Sequence, residues 1–501
     1  MSKPRYIGAI DQGTTGTRFM IFDRNGAVQA SAYEEHRQIC PQPGWVEHDP
    51  VEIWDKTQRV IRTCLERADI VSDQIAGLGI TNQRETTCAW NPKTGEPYYN
   101  ALVWQDTRTR DICQQFEQQK VGNIVQQKTG LVISTYFSGT KMQWLLENVE
   151  GLQEKMARGE VLFGTIDAWL IWNLTGGKHV TDCSNASRTL LMDLHTLAWD
   201  AELMDIFGIS DKALPQIRPT SDPELYGHTT KEGVFGAKIP VCGSLGDQQA
   251  ALFGQTCFDA GDAKNTYGTG CFLLVNTGSD VVRSNSGLLT TVAYSTEMGK
   301  AAYALEGSIA VTGAAVQWLR DNLQVITDAA ETESIAASVA DTGDIYFVPA
   351  FSGLFAPYWD MNARGAIVGL SGYVTKAHLV RATLESICYQ TRDVIEAVNA
   401  DMGTAGTSLK VDGGAVVNNL LMQMQADILG IPCVRPVVHE TTALGAAYAA
   451  GLAVGFWESL DSLRTHWQVD RIFEPQWSEE RRRTACVGWK KAIERTRDWV
   501  T

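Results

Sequence analysis

The sequence predicts an α/β protein built from two related domains that face a common cleft. Three observations carry this reading. The chain has 501 residues, too many for one ordinary hydrophobic core, so two large domains are expected. Apolar runs of strand length alternate with helical patterns. A glycine-threonine turn between apolar runs occurs near Gly13 and again near Gly268, so the pattern repeats at about half the chain.

Residues 5–33 read as a three-stranded meander. Tyr6 to Ile10 and Phe19 to Phe22 are rich in β-branched and aromatic residues and are bounded by glycine. Asn25-Gly26 is a hairpin turn between the second and third strands. Between the first two strands lies DQGTTGTR, 11–18. Gly13 and Gly16 can take positive φ at no steric cost. Such a loop can aim several backbone N–H groups at one anion, and Thr14, Thr15 and Thr17 add hydroxyls. No Gly-Lys-Ser/Thr follows and no helix opens, so this is not a P-loop. Taken alone, the stretch reads as a polar turn or as a phosphate cradle.

Asp49-Pro50 opens a helix, with Asp49 as cap, Pro50 at the first position and Glu52 in the first turn. Ile53, Val60, Ile61 and Leu65 form its apolar stripe. A strand at 75–80 runs into TNQRETT, 81–87. LGDQQAALFGQ, 245–255, places Asp247 at the start of an apolar helix. FGQTCFDAGD then breaks the pattern near 254–262, which divides the chain into domains at 1–254 and 255–501. NTYGTGCFLLVNTG, 265–278, repeats the opening arrangement, followed by strands near 289–293 and 301–305 and a helix at about 313–321. In VDGGAVVNN, 411–419, a strand from Leu409 to Val411 meets a double glycine and a helix from Val416 to Leu429. This is a tight connection or a place for a ligand to approach the backbone. Ala443 to Trp457 is short for a membrane span and reads as a buried helix packed closely through Gly445 and Gly451.

Composition narrows the function classes. A hydrophobic fraction of 44% and a charged fraction of 20% suit a soluble globular protein. The net charge of −15 argues against a nucleic-acid or anionic-membrane surface. Eleven cysteines without a CxxC pair argue against a zinc site or a disulfide framework and fit a reducing cytoplasm. No apolar stretch near Lys3 and Arg5 is long enough for a signal peptide.

The motifs suit phosphoryl transfer, which needs a phosphate cradle, a metal, a positioned acceptor hydroxyl and a carboxylate near it. Asp11, at the end of the first strand, is a candidate to hold Mg²⁺ through water, or a residue that stabilises the turn. Asp247 is a helix cap or a general base kept ionised by the helix dipole. Arg84 and Glu85 are an exposed ion pair or a polyol-recognition pair. Trp104, in VWQDTRTR, offers a flat apolar face for a carbon chain.

Together, DQGTTGTR, TNQRETT, VWQDTRT, YFSGTKMQWLLEN, GDQQAALFGQ, YGTGCFLLVNTG and VDGGAVVNN resemble the FGGY carbohydrate kinases from about residue 5 to about residue 495. These belong to the wider superfamily of sugar kinases, actin and heat-shock ATPases. NQRETT, WQDTRT and GDQQAALFGQ resemble the glycerol-phosphorylating branch in particular. The resemblance implies two actin-like (ribonuclease H-like) ATPase domains, with mixed sheets flanking a deep central cleft. It implies nucleotide contacts at Thr14, Thr15, Gly16, Arg18, Thr269, Gly313, Gln317, Gly414 and Asn418. It places the acceptor at Arg84, Glu85, Trp104, Tyr136, Asp247, Gln248 and Phe272, with Asp247 as general base and Mg²⁺ near Asp11 and Asp247. Glycerol and Mg-ATP are the implied substrates, sn-glycerol 3-phosphate the product, and a cytoplasmic homodimer or homotetramer the implied assembly. The rivals are a kinase for another small polyol or ketose and a nucleotide-dependent assembly or chaperone protein of the same fold. One stretch departs from the pattern. Some bacterial members carry a Gly-rich loop with an Arg just before Ile-Pro, which binds fructose 1,6-bisphosphate as an inhibitor; here Lys238 holds that place.

Overall fold

The computed structural model describes residues 4–500. Tyr6–Gln12 (β1), Gly16–Phe22 (β2) and Val28–Glu35 (β3) form the expected antiparallel meander. At the β2–β3 turn the Asp23 carboxylate accepts the amides of Asn25 and Ala27, and Gly26 takes a φ of 74°. Ile75–Asn82 (β4), Gly227–His228 (β5) and Pro240–Gly246 (β6) complete the first sheet, in the order β5-β6-β4-β1-β2-β3. β4 runs parallel to both β1 and β6. Helix Pro50–Ala68 (α1) covers one face. Asp49 accepts the amide of Val51, and Ile53, Val60 and Ile61 are buried, with Leu65 half-buried beside them.

The second sheet repeats the plan. Ala263–Tyr267 (β7), Cys271–Gly278 (β8), Leu289–Glu297 (β9), Lys300–Ile309 (β10), Leu409–Asp412 (β11), Cys433–Pro436 (β12) and Val469–Phe473 (β13) lie in the order β9-β10-β8-β7-β11-β12-β13. Each domain therefore opens with a hairpin whose first strand gains a parallel neighbour on its other side, β4 beside β1 and β11 beside β7. In the second, β10 takes the place that β3 holds in the first, and β9 is one added strand outside it.

Five further helices place the site: Asp247–Gly254 (α2), Gly313–Asp321 (α3), Lys376–Met402 (α4), Asn419–Leu429 (α5) and Thr441–Ala453 (α6). α4 buries Val380, Leu384 and Val394 in the core of the second domain. α6 crosses back onto the first domain. A Cβ on Gly79 of β4 would lie 2.0 Å from the Ala446 carbonyl oxygen, and one on Gly445 would lie 1.9 Å from that of Ala250 in α2. Only bare backbone lets helix, strand and helix approach this closely. Ile7, Met20, Leu245, Phe253, Leu274 and Ala447 consequently share one buried cluster drawn from both halves of the chain. Gly451 packs against the Trp457 ring, and α6 stops at Ala453, so the helix expected to run through Trp457 is shorter at that end.

Two local expectations are corrected. Gly13 and Gly16 do not adopt left-handed φ. The need at Gly16 is space, since a Cβ there would sit 2.6 Å from the Glu34 carbonyl oxygen. The segment 416–429 is not one helix. A 3₁₀ turn, Gly414–Val417, precedes α5, and the Asn418 side chain caps α5 by accepting the Leu421 amide at 2.9 Å. Among the described residues no helix is long and apolar enough to cross a membrane.

Candidate active site

The first hairpin is held by its carbonyls. Gly13 O accepts from Gln12 Nε2 at 2.8 Å and Gln83 Nε2 at 3.3 Å; Thr14 O accepts from Gln38 Nε2 at 2.9 Å; Thr15 O accepts from the His36 amide at 3.1 Å. Gln83 also bonds Gln12 Oε1 and His48 Nδ1, so a buried amide–imidazole network backs the loop. Asp11 lies opposite Arg18 in the β1–β2 register. Arg18 forms an ion pair with Glu440, the residue before α6.

The second hairpin uses the same packing device. A Cβ on Gly270 would lie 2.5 Å from the Ile309 carbonyl oxygen. Gly268 O accepts from Gly313 N at 3.1 Å, and Thr269 O accepts from Thr312 N at 3.1 Å and Ala314 N at 3.0 Å. These carbonyls satisfy amides that the start of α3 leaves without helical partners. Gly413, with φ 91°, backs onto Tyr267. Thr269, Gly313, Gln317, Gly414 and Asn418 thus sit on one contiguous rim, with Thr269, Gln317 and Gly414 exposed. The Asn418 side chain is occupied as the α5 cap and by Thr332 Oγ1 at 3.2 Å.

Between the domains lies a buried charge cluster. Arg84 is not an exposed partner of Glu85, because both are almost wholly buried. Arg84 Nη1 and Nη2 grip the two carboxylate oxygens of Glu306, on β10 of the second domain, at 2.5 and 3.1 Å. Its looser donors face the cleft, with Nε 3.3 Å from Asp247 Oδ1 and Nη2 3.4 Å from Tyr136 Oη. Glu85 Oε1 accepts from Arg188 Nε at 2.6 Å, and Arg188 also reaches Glu306 at 2.9 Å. Glu85 has a left-handed φ of 61°, a strained conformation for a non-glycine residue and a frequent mark of functional sites.

The rest of TNQRETT braces this turn. The Thr86 amide donates to Arg84 O, and the Thr87 and Ser138 hydroxyls donate to Glu85 O. Trp104, Tyr136 and Phe272 wall the same space: the Trp104 ring lies edge-on to Tyr136 at 5.7 Å and to Phe272 at 6.2 Å. Lys264, wholly buried, donates to Gln248 Oε1 at 2.7 Å and Phe272 O at 3.2 Å.

Asp247 is the first residue of α2 and not its cap. Gly246 is the N-cap, and a Cβ there would strike the Arg84 side chain at 2.6 Å. The Asp247 carboxylate accepts from the Gln248 amide at 2.8 Å and is 29% exposed to the cleft. Burial raises its pKa against the pull of Arg84 and Lys264, which makes it a stronger base than a surface aspartate. Burial, outweighing Arg18 and aided by Glu440 and Asp247, pushes Asp11 up to about 7. Two hard carboxylates short of compensating charge suit a divalent cation that keeps most of its waters. Burial lowers Lys264 to about 8. Burial would raise Glu306, but Arg188 and Arg84 outweigh it and hold it at about 2.

The structure therefore groups the residues expected at the acceptor around one space and those expected at the nucleotide along two hairpins and a rim. Arg188, Glu306 and Lys264 were not singled out in the sequence. The signal was present at Glu306, a lone carboxylate in the apolar strand AAYALEGSIAV, 301–311. Charge inside a buried strand demands a partner.

The chain is similar to known proteins over nearly its whole length. The family model for the N-terminal domain of the FGGY carbohydrate kinases matches residues 6–254, and that for the C-terminal domain matches 263–454. A protein named glycerol kinase from Mycolicibacterium vanbaalenii is 59% identical over 499 residues, covering 99% of each chain. One of the same name from Mycobacterium tuberculosis is 57% identical, covering 99% of this chain and 96% of its own. The crystal structure of Plasmodium falciparum glycerol kinase with ADP is similar at a TM-score of 0.92 and 40% identity, covering 99% of both chains. A gluconate kinase from Lactobacillus acidophilus shares the fold at a TM-score of 0.86 and 24% identity, covering 98% of this chain and 97% of its own.

Proposed function

Since the chain belongs to the FGGY family of carbohydrate kinases, we propose that it transfers the γ-phosphoryl group of ATP to a terminal hydroxyl of glycerol, giving sn-glycerol 3-phosphate and ADP. The observation that carries this reading is the pocket in which Asp247 meets Arg84 under the Trp104, Tyr136 and Phe272 rings. Three rings leave room for a short carbon chain. The cleft-facing donors of Arg84 and the Glu85 carboxylate supply opposite halves of hydroxyl recognition.

Asp247 accepts the proton of the attacking hydroxyl, which then bonds the γ-phosphorus as the bond to the leaving ADP oxygen breaks. Thr14, Thr15, Gly16 and Arg18 bind phosphate from one domain, and Thr269 binds it from the other. Gly313, Gln317, Gly414 and Asn418 line the rim for the rest of the nucleotide. Asp11 and Asp247 are the residues that would hold Mg²⁺, and the ion would supply positive charge to the phosphate oxygens. Closing the domains keeps water from the γ-phosphate.

The test is ADP release in a coupled assay across glycerol, other polyols, pentuloses and gluconate. Turnover that requires glycerol and is much slower with the others is the expected result. Turnover without any acceptor would leave only the fold and discard the kinase assignment.

A further inference from the structure

Trp104 takes part in both halves of the site. Its ring walls the acceptor pocket beside Tyr136 and Phe272. Its indole N–H donates to Thr14 Oγ1, in the first phosphate hairpin, at 2.9 Å. Both ends of this contact are anchored independently. The Trp104 amide donates to Thr86 Oγ1 at 3.2 Å, within the braced TNQRETT turn, while Thr14 O is held by Gln38. An indole nitrogen can only donate, whereas a hydroxyl both accepts and donates one proton. Once Thr14 Oγ1 accepts from the indole, its own proton is free to turn into the cleft. The contact therefore sets the hydroxyl as a donor, the polarity that a phosphate oxygen requires.

We propose that Trp104 is a positioning residue that couples the two substrates. A polyol packed on the ring holds the indole on Thr14, and the Thr14 hydroxyl then points its proton at the terminal phosphate of the nucleotide. Without a polyol the indole keeps this contact but nothing packs on the ring to restrain it, so the Thr14 hydroxyl is held less firmly. Full phosphate stabilisation is reached only with the acceptor in place, which favours transfer to the polyol over transfer to water. The inference rests on the polyol-kinase reading of the site.

The experiment is a double-mutant cycle on the full chain, with Trp104→Phe, Thr14→Val and the pair. Phenylalanine keeps an apolar ring and removes the N–H; valine keeps the shape of threonine and removes the hydroxyl. Trp104→Phe is expected to lower kcat about 5–20-fold while changing KM for glycerol less than about threefold, and to weaken the tightening of ATP binding by glycerol. In the Thr14→Val background the same change should cost less than about twofold. Additive losses on a glycerol-dependent wild type would overturn this inference alone, as would a raised glycerol KM with kcat unchanged. A wild-type rate indifferent to every polyol would overturn the underlying reading and this inference with it. Should Trp104→Phe fail to fold, Thr14→Ser, which keeps the acceptor oxygen, must stay within about threefold of wild type while Thr14→Val falls well below it. Equal losses in those two variants would end the proposal.

Discussion

Asp247→Asn exchanges one oxygen for an amide and leaves the α2 start in place. General-base removal costs about 10²–10⁴-fold in rate, so kcat should fall by that amount while glycerol and ADP still bind in calorimetry. A rate near wild type in a folded variant would limit Asp247 to shaping the turn. Asp11 allows a test of sign. Its carboxyl is raised from 3.8 to about 7, so between those values the folded chain holds a proton that the unfolded chain has released. Stability therefore falls as pH rises through this window, and the cost is complete above about pH 7. Asp11→Asn should raise the Tm by a few degrees at pH 8, with the gain shrinking towards pH 4, while losing Mg²⁺-dependent turnover. A Tm difference that does not change with pH would mean Asp11 is not raised. Not all of this was visible in the sequence. Asp11, Arg84, Glu85 and Asp247 stand out because charge interrupts apolar runs next to glycine or threonine. The burial of Arg84 and Glu85 was not visible, because it depends on Glu306 and Arg188, far away in the chain and adjacent only after folding.

The two hairpins were legible because turn chemistry is local: glycines, threonines and flanking strand formers sit within a dozen residues. The break before α5 was missed because apolar Val416 and Val417 continue a helical pattern, and only the capping geometry of Asn418 reveals where α5 begins. The position of α6 was illegible for a different reason. Its composition marks it as buried but says nothing about which sheet buries it. Gly79 and Gly445 now answer that, and both are testable. A methyl at Gly445 would be driven into the Ala250 carbonyl; overpacking of this kind costs about 1–3 kcal/mol. Gly445→Ala should lower the Tm by several degrees, whereas Gly122→Ala, where an added Cβ meets nothing within 4 Å, should leave it nearly unchanged. Equal effects would mean that the α2–α6 contact relaxes freely.

Across the whole molecule, the domains meet through an apolar junction at α6 and a charged one at Glu306. Removing one partner of a buried ion network costs about 3–5 kcal/mol, since the remaining charges stay buried. Glu306→Ala leaves Arg84 and Arg188 without this carboxylate. It should lower the Tm markedly and also weaken glycerol binding, because Arg84 loses the grip that aims it at the pocket. Glu306→Gln should recover part of both. Loss of stability with unchanged glycerol affinity would separate the network from the acceptor site. A further expectation concerns Lys231 and Lys238, which share a surface cavity with His228 and Glu232. Lysine lacks the planar fork with which arginine grips phosphate, and Glu232 opposes an anion, so fructose 1,6-bisphosphate should not inhibit in steady-state assays. The α6 junction has one more consequence, for the order in which the protein is made. The first sheet leaves the ribosome early, yet the helix that covers Ile7, Met20 and Leu245 is encoded at residues 441–453. The domain synthesised first is therefore completed last, and until then the nascent chain carries an uncovered apolar face that chaperones can hold.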